Sequence, residues 1–199
     1  MALIIGTQHH LGEGMEMEAL LDYQKSELID GVVYNMSPAS IKHIRIQRRL
    51  SIIIDNFLRG KRCEVFSEAE VRLDENNKFI PDLCIICTPS QVKTSYIEGA
   101  PDFVVEILSP STRKKDLTAK KSAYEKFGVK EYWIIDPKGE SIDAYLLKDG
   151  KFELDSTCHN IPEEELAEMH EEDREKIQLA LKISLYDELT ITAKEVFED

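Results

Sequence analysis

The chain has 199 residues, enough for one compact domain or for one domain with an insert. Hydrophobic residues make up 42% and charged residues 32%, so a core can be built, and no apolar run reaches the roughly 18–20 residues of a membrane-spanning helix. Met1–Thr7 has no basic flank and no long apolar region of a signal peptide, collagenous, mucin-like and disulfide-scaffold classes are excluded, and a cytoplasmic protein is expected.

The net charge of −13 argues against a nucleic-acid partner, but its distribution argues the other way. Lys42–Arg62 holds seven Lys/Arg and one acid, Asp55; Arg113–Lys121 holds five basic residues and one acid, Asp116. These local charges of +6 and +4 leave −23 for the rest, that is −13 less +10. Two basic segments in an acidic chain fit one polyanion-binding face, and they also fit solvated helix faces.

In chain order, Glu16–Tyr23 reads as a short helix with Met17, Leu20 and Leu21 on its apolar side. Leu28–Tyr34 is a hairpin around Asp30-Gly31. Ser37-Pro38-Ala39-Ser40 supplies caps for a helix to about Leu58, with Ile46, Leu50, Ile53 and Phe57 inward and His43, Arg45, Arg48 and Arg49 on the polar face; Gly60 stops it. Short strands at Cys63–Phe66 and Ala69–Leu73 precede a turn at Asn76-Asn77 and a longer strand, Phe79–Cys87. Phe103–Leu108 is a central strand buried on both faces. Ser109–Thr112 caps a helix over Arg113–Phe127, closed by Gly128. Tyr132–Asp136 is another buried strand, and Ile142–Leu147 with Lys151–Leu154 form a hairpin around Asp149-Gly150. Glu163–Lys176, with eight acids, is a charged helix, an insert or a lid. The sum is a single α/β domain over 1–199, an α+β mixed sheet flanked by helices, with a charged helical insert at 160–177.

Cys84 and Cys87 form one CxxC inside a strand, where residues three apart point to opposite faces. They can close neither on one metal nor on each other, so all four cysteines read as buried free thiols.

Glu106 stands out. A carboxylate in a six-residue apolar strand costs several kcal/mol to bury unless it is neutralised, paired or bound to a metal. A structural ion pair with the following helix would explain it. Asp82, after Pro81 on the preceding long strand, offers another account: two carboxylates at one level on adjacent strands suit Mg²⁺ or Mn²⁺. Asp116, Lys120 and Tyr124, at i, i+4 and i+8, share one helix face, from which Lys120 could reach the carboxylates or simply pair with Asp116 in solvent.

Pro81-Asp82 followed by Glu106-Ile107-Leu108 resembles the PD-(D/E)XK signature of restriction-endonuclease-like nucleases. The wider string is similar to the Uma-type family of bacterial restriction endonucleases: the EIL-SPST segment, Asp116-x3-Lys120-x3-Tyr124-x3-Gly128-Val129 and Glu131–Pro137, with Glu27–Gly31, Met36-Ser37-Pro38 and His43 upstream. The resemblance covers 16–155 well and Ser184–Phe197 more loosely. Leu108 stands where the superfamily has its lysine, and the family moves that lysine to the next helix, here Lys120.

The resemblance implies a restriction-endonuclease-like core and a metal-dependent endodeoxyribonuclease acting on DNA. Asp82, Glu106 and the Ile107 carbonyl would hold Mg²⁺ or Mn²⁺, and Lys120 would orient or help deprotonate the attacking water. His43 would stand behind the ligands or contact phosphate, unless it is an ordinary helix histidine; Glu27 would support the site or cap the hairpin; Tyr124 would pack or hydrogen-bond. Arg45, Arg48, Arg49, Arg113 and Lys114 are the candidate DNA contacts. Cutting both strands favours a homodimer. The rival reading is a catalytically silent nucleic-acid-binding or interaction module that keeps the fold.

Overall fold

The computed structural model describes residues 25–198, so the helix expected at Glu16–Tyr23 lies outside the described residues. The first described elements are β1 (Ser26–Ile29) and β2 (Val32–Asn35), an antiparallel hairpin. Asp30 and Gly31 between them both take positive φ, 48° and 77°, as a tight hairpin turn of this hand requires. Helix α1 (Ile41–Leu58) starts at Ser40, whose hydroxyl accepts from the His43 amide. Its buried stripe is His43, Ile46, Gln47, Leu50, Ile54 and Leu58. The expected positions Ile53 and Phe57 flank that stripe and are only partly buried.

The strand expected over Phe79–Cys87 is two strands. After β3 (Glu64–Ser67) and β4 (Val71–Arg72), β5 (Lys78–Phe79) and β6 (Leu83–Ile86) are separated at Ile80-Pro81-Asp82 and belong to different sheets. Proline has no amide to continue a ladder, so the chain crosses from one sheet to the other there and leaves Asp82 at the mouth of β6.

β7 (Ile97–Glu98) and β8 (Phe103–Ile107) follow, then a helical run: α2 (Arg113–Lys115), a π-helical turn (Asp116–Lys120) and α3 (Lys121–Phe127). Gly128 closes it with φ 82°. β9 (Glu131–Asp136) runs parallel to β8, and β10 (Ser141–Lys148) with β11 (Lys151–His159) make the second hairpin, longer than the sequence predicts. The charged segment forms two short helices with no buried residue, α4 (Glu163–Glu168) and α5 (Glu171–Arg174), before β12 (Ala180–Ile183), β13 (Tyr186–Thr192) and α6 (Ala193–Phe197).

The sheets are a five-stranded one in the order β2-β1-β5-β4-β7, a six-stranded one in the order β11-β10-β9-β8-β6-β3, and the β12-β13 hairpin. The two faces of the six-stranded sheet bury different things. Phe103, Val105 and Ile107 of β8 pack with Leu83 and Ile85 under α1 and the C-terminal hairpin. Val104, Cys84 and Ile86 face the other way, against Ala123 and Tyr124 of α3 and Phe79 of the smaller sheet. By strand alternation Asp82 and Glu106 belong to this second face.

The cysteine reading needs correction. Cys63 and Cys87 form a disulfide, while Cys84 and Cys158 are free and buried. The antiparallel register pairs Glu64 with Ile86, which sets the residues just outside the two strands opposite each other. That is a cross-strand relation, invisible in the CxxC spacing. Among the described residues no helix is long and apolar enough to cross a membrane.

Candidate active site

β1, α1, the mouth of β6, β8 and the helical run together build one polar pocket. β6 pairs antiparallel with β8, Leu83 opposite Val105, so Asp82, at the mouth of β6, comes next to Glu106 on β8. Asp82 is fixed on all sides: Oδ2 accepts from the Ile107 amide at 2.6 Å, Oδ1 meets His43 Nε2 at 2.9 Å, and its carbonyl accepts from Gln47 Nε2 at 2.9 Å. His43 is therefore a buried partner of Asp82 and not part of the polar face of α1. Burial lowers its pKa, but the hydrogen bond and charge of Asp82 outweigh that, and the imidazole ends above its ordinary value.

The helical run supplies the opposite wall. Lys120, 2% exposed, places its ammonium 2.5 Å from Glu106 Oε1 and 2.8 Å from Glu27 Oε1, with Asp116 Oδ1 at 3.9 Å. Tyr124 donates to the same Glu106 oxygen at 2.9 Å. Glu27, from β1, also accepts from the Ile80 amide and pairs with Lys115. The face shared by Asp116, Lys120 and Tyr124 is thus buried, as the i, i+4, i+8 spacing allows.

The cluster holds four buried carboxylates, Glu27, Asp82, Glu106 and Asp116, against the ammonium groups of Lys115 and Lys120. Burial raises Glu106 well above the usual carboxylate range, and the neighbouring Asp116, Asp82 and Glu27 add to the rise against the pull of Lys120. Burial would push Lys120 down, yet Glu106, Glu27 and Asp116 outweigh it and hold the ammonium above its ordinary pKa. Asp116 is raised by burial, and Glu27 is lowered because Lys120 and Lys115 overcome the effect of burial. A site so rich in carboxylates retains positive charge.

The pocket encloses about 60 Å³ and is lined by these groups together with Met36–Ala39, Ile107, Ser109 and Thr112. Two grooves adjoin its mouth through shared residues. One carries Lys42, Arg113 and Lys138; the other carries Lys114 and Lys115 beside Tyr34. Most of these cations, and other expected basic contacts, are engaged within the fold: Lys42 pairs with Glu140 at 2.6 Å and Arg113 with Asp136 at 2.8 Å. Arg49 donates to the Val196 carbonyl, Arg62 to the Cys87 carbonyl, and Arg59 pairs with Asp55. Arg45 and Arg48 lie on the exposed side of α1. The single basic face expected of both whole segments narrows to the start of α1, the start of α2 and Lys138.

Among the described residues, no three His, Cys, Asp or Glu side chains converge as a ready-made metal cage. Of the four carboxylates, Asp82 and Glu106 are the two that stand side by side next to the Ile107 backbone. That suits Mg²⁺, which keeps several waters and takes one or two carboxylates, and does not suit an ion that needs three side-chain ligands. Both polar contacts of Glu106 fall on Oε1.

Residues 15–182 match the family Uma2, described as "Putative restriction endonuclease". The chain belongs to the Uma2 family. An uncharacterised protein of Synechocystis sp. (strain PCC 6803), slr1290, is 32% identical over 125 residues, 61% of this chain and 66% of that one, just under two thirds of its length. A crystal structure from Anabaena variabilis ATCC 29413, described as a "putative nuclease belonging to DUF820", superposes with a TM-score of 0.66 at 22% identity, over 91% of this chain and 96% of that one. At that identity the likeness shows the fold, which is restriction-endonuclease-like.

The sequence marked Asp82, Glu106, Lys120, Glu27, His43 and Tyr124, and the structure brings all six into one cluster. It did not mark Asp116 or Lys115 as site residues. Asp116 was visible as the first member of the i, i+4, i+8 face; Lys115 meets Glu27 across 88 residues of sequence, and nothing local announces it.

Proposed function

We propose that this chain is a Mg²⁺- or Mn²⁺-dependent endonuclease that hydrolyses DNA phosphodiester bonds. One observation carries the reading: a carboxylate at a strand mouth, a carboxylate on a central strand and a helix-borne lysine meet in one pocket whose mouth is flanked by lysines and an arginine. A divalent ion held by Asp82, Glu106 and the Ile107 carbonyl would supply Lewis-acid stabilisation and a more acidic water.

The chain's own residues do the rest. The Ile107 amide and His43 lock the Asp82 rotamer, and Tyr124 locks Glu106. Lys120, charged at any working pH, orients the attacking water and faces the negative charge that builds on the phosphate oxygens. Lys42, Arg113, Lys114 and Lys138 hold the flanking phosphates, with Arg45 and Arg48 farther along α1. Cleavage of both strands calls for two copies, and we propose a homodimer.

The test is cleavage of supercoiled plasmid and single-stranded DNA with and without Mg²⁺ or Mn²⁺, against Asp82→Asn. Cation-dependent nicking that disappears in the variant supports the proposal. The net charge of −13 favours the second reading, a silent nucleic-acid-binding module. DNA binding that weakens with salt, without cleavage under any cation, would select it.

A further inference from the structure

Lys120 is shared among three carboxylates, and they hold it unequally. Glu106 and Glu27 are within hydrogen-bond distance at 2.5 and 2.8 Å, whereas Asp116 Oδ1 stands off at 3.9 Å. Asp116 is 2% exposed. Its Oδ1 and His43 Nδ1 are the buried side-chain atoms left without a hydrogen-bond partner among the described residues. An unpartnered carboxylate oxygen at that depth costs a few kcal/mol and calls for a reason. Its neighbourhood offers one. An ammonium has three donors, two of which Glu106 and Glu27 accept, and a move of about 1 Å would bring the group from 3.9 Å to a normal charge-assisted distance from Asp116.

We propose that Asp116 is a positioning residue: its Oδ1 is the alternate acceptor for Lys120, which shifts from Glu106 to Asp116, while still held by Glu27, when Glu106 turns to a cation. The inference rests on the proposed nuclease reading and adds to it how the lysine and the ion share one carboxylate. Glu27, anchored by Lys115 and the Ile80 amide, is the fixed end of the movement. The π-helical turn Asp116–Lys120 is the element that carries both partners, and such turns are frequent where helices serve a site.

The experiment is a titration of Mn²⁺ alone into the metal-free full chain, followed by calorimetry, for wild type, Asp116→Asn, Asp116→Ala, Lys120→Met and the Asp116→Ala/Lys120→Met double variant, with thermal unfolding run on each. Without its alternate acceptor, Lys120 stays on Glu106, so Asp116→Ala should weaken Mn²⁺ binding about tenfold, and Asp116→Asn by less. In the Lys120→Met background the same change should alter binding by less than about twofold, because the competitor is gone. Equal weakening in both backgrounds would mean that Asp116 acts only through its field, and no weakening in either would mean that it does not act; each overturns the proposal. If Asp116→Ala does not fold, the near-isosteric Asn variant decides in the same two backgrounds. Mn²⁺ binding indifferent to Glu106→Gln would overturn the reading of the pocket itself, and this inference with it.

Discussion

Glu106 and Glu131 are both buried glutamates, on strands β8 and β9 that lie side by side, and their surroundings differ in kind. Glu131 is closed off: it accepts from the Trp133 indole at 2.6 Å, the Ser184 amide at 2.8 Å and the Ser184 hydroxyl at 2.6 Å. Neutral donors from its own strand and from the C-terminal hairpin saturate it, and it ties that hairpin to the sheet. Glu106 has its contacts on one oxygen, from Tyr124 and a charged lysine, and it lines a pocket beside three more carboxylates. A buried acid is thus no mark of chemistry by itself. The mark is a buried acid whose partners are charged, movable and open to a third party.

The largest effect expected on this contrast is Asp82→Asn. It keeps the shape, removes the charge, and should reduce cleavage by three orders of magnitude or more in a plasmid assay, roughly 4 kcal/mol of transition-state stabilisation. Lys120→Met should cost about a hundredfold in single-turnover rate with DNA affinity nearly unchanged. Lys121→Met should do little, because Lys121 lies over the Tyr145 ring, outside the pocket. At the structural acid, Glu131→Ala should destabilise by about 3 kcal/mol in urea unfolding, since it strands the indole and Ser184 donors.

Glu131 and Glu27, one from each region, titrate with opposite signs. Glu131 has its folded pKa raised by burial, so its contribution is present below the unfolded value near 4.5 and is lost as pH rises through the folded value. Glu27 has its folded pKa lowered by Lys120 and Lys115 against burial, so its contribution is present above 4.5 and is lost as pH falls through the folded value. Melting temperature against pH should decline less steeply on the alkaline side of 4.5 in Glu131→Gln, and less steeply on the acid side in Glu27→Gln, than in wild type. Matching profiles in both variants would contradict the assignment. The smallest effect is on the rim: Arg113→Ala or Lys42→Ala should weaken DNA binding a few-fold and reduce its salt slope by about one unit.

What the sequence disclosed follows from how local each feature is. The Asp30-Gly31 and Asp149-Gly150 turns, the Ser40 cap and the Asp116–Lys120–Tyr124 face all rest on neighbours within eight residues, and all are present. The break at Pro81 was written in the sequence, but the apolar run on either side of it outweighed the missing amide. The features that stayed hidden are long-range pairings: Cys63 with Cys87, Lys115 with Glu27 and Glu131 with Ser184. Each needs the register of one element against another, which no spacing along the chain records. Glu106 was legible because an acid in the middle of an apolar strand has no local explanation; Glu131 falls just outside the strand expected over Tyr132–Asp136, so its burial was not.

The most direct test sets the two glutamates against each other in one assay: plasmid cleavage with Mg²⁺ or Mn²⁺ by wild type, Glu106→Gln and Glu131→Gln, each folded at the assay temperature. Wild type and Glu131→Gln should nick the plasmid at comparable rates, the latter melting at a lower temperature, while Glu106→Gln, folded, leaves it intact. Cleavage by Glu106→Gln at the wild-type rate would contradict the account.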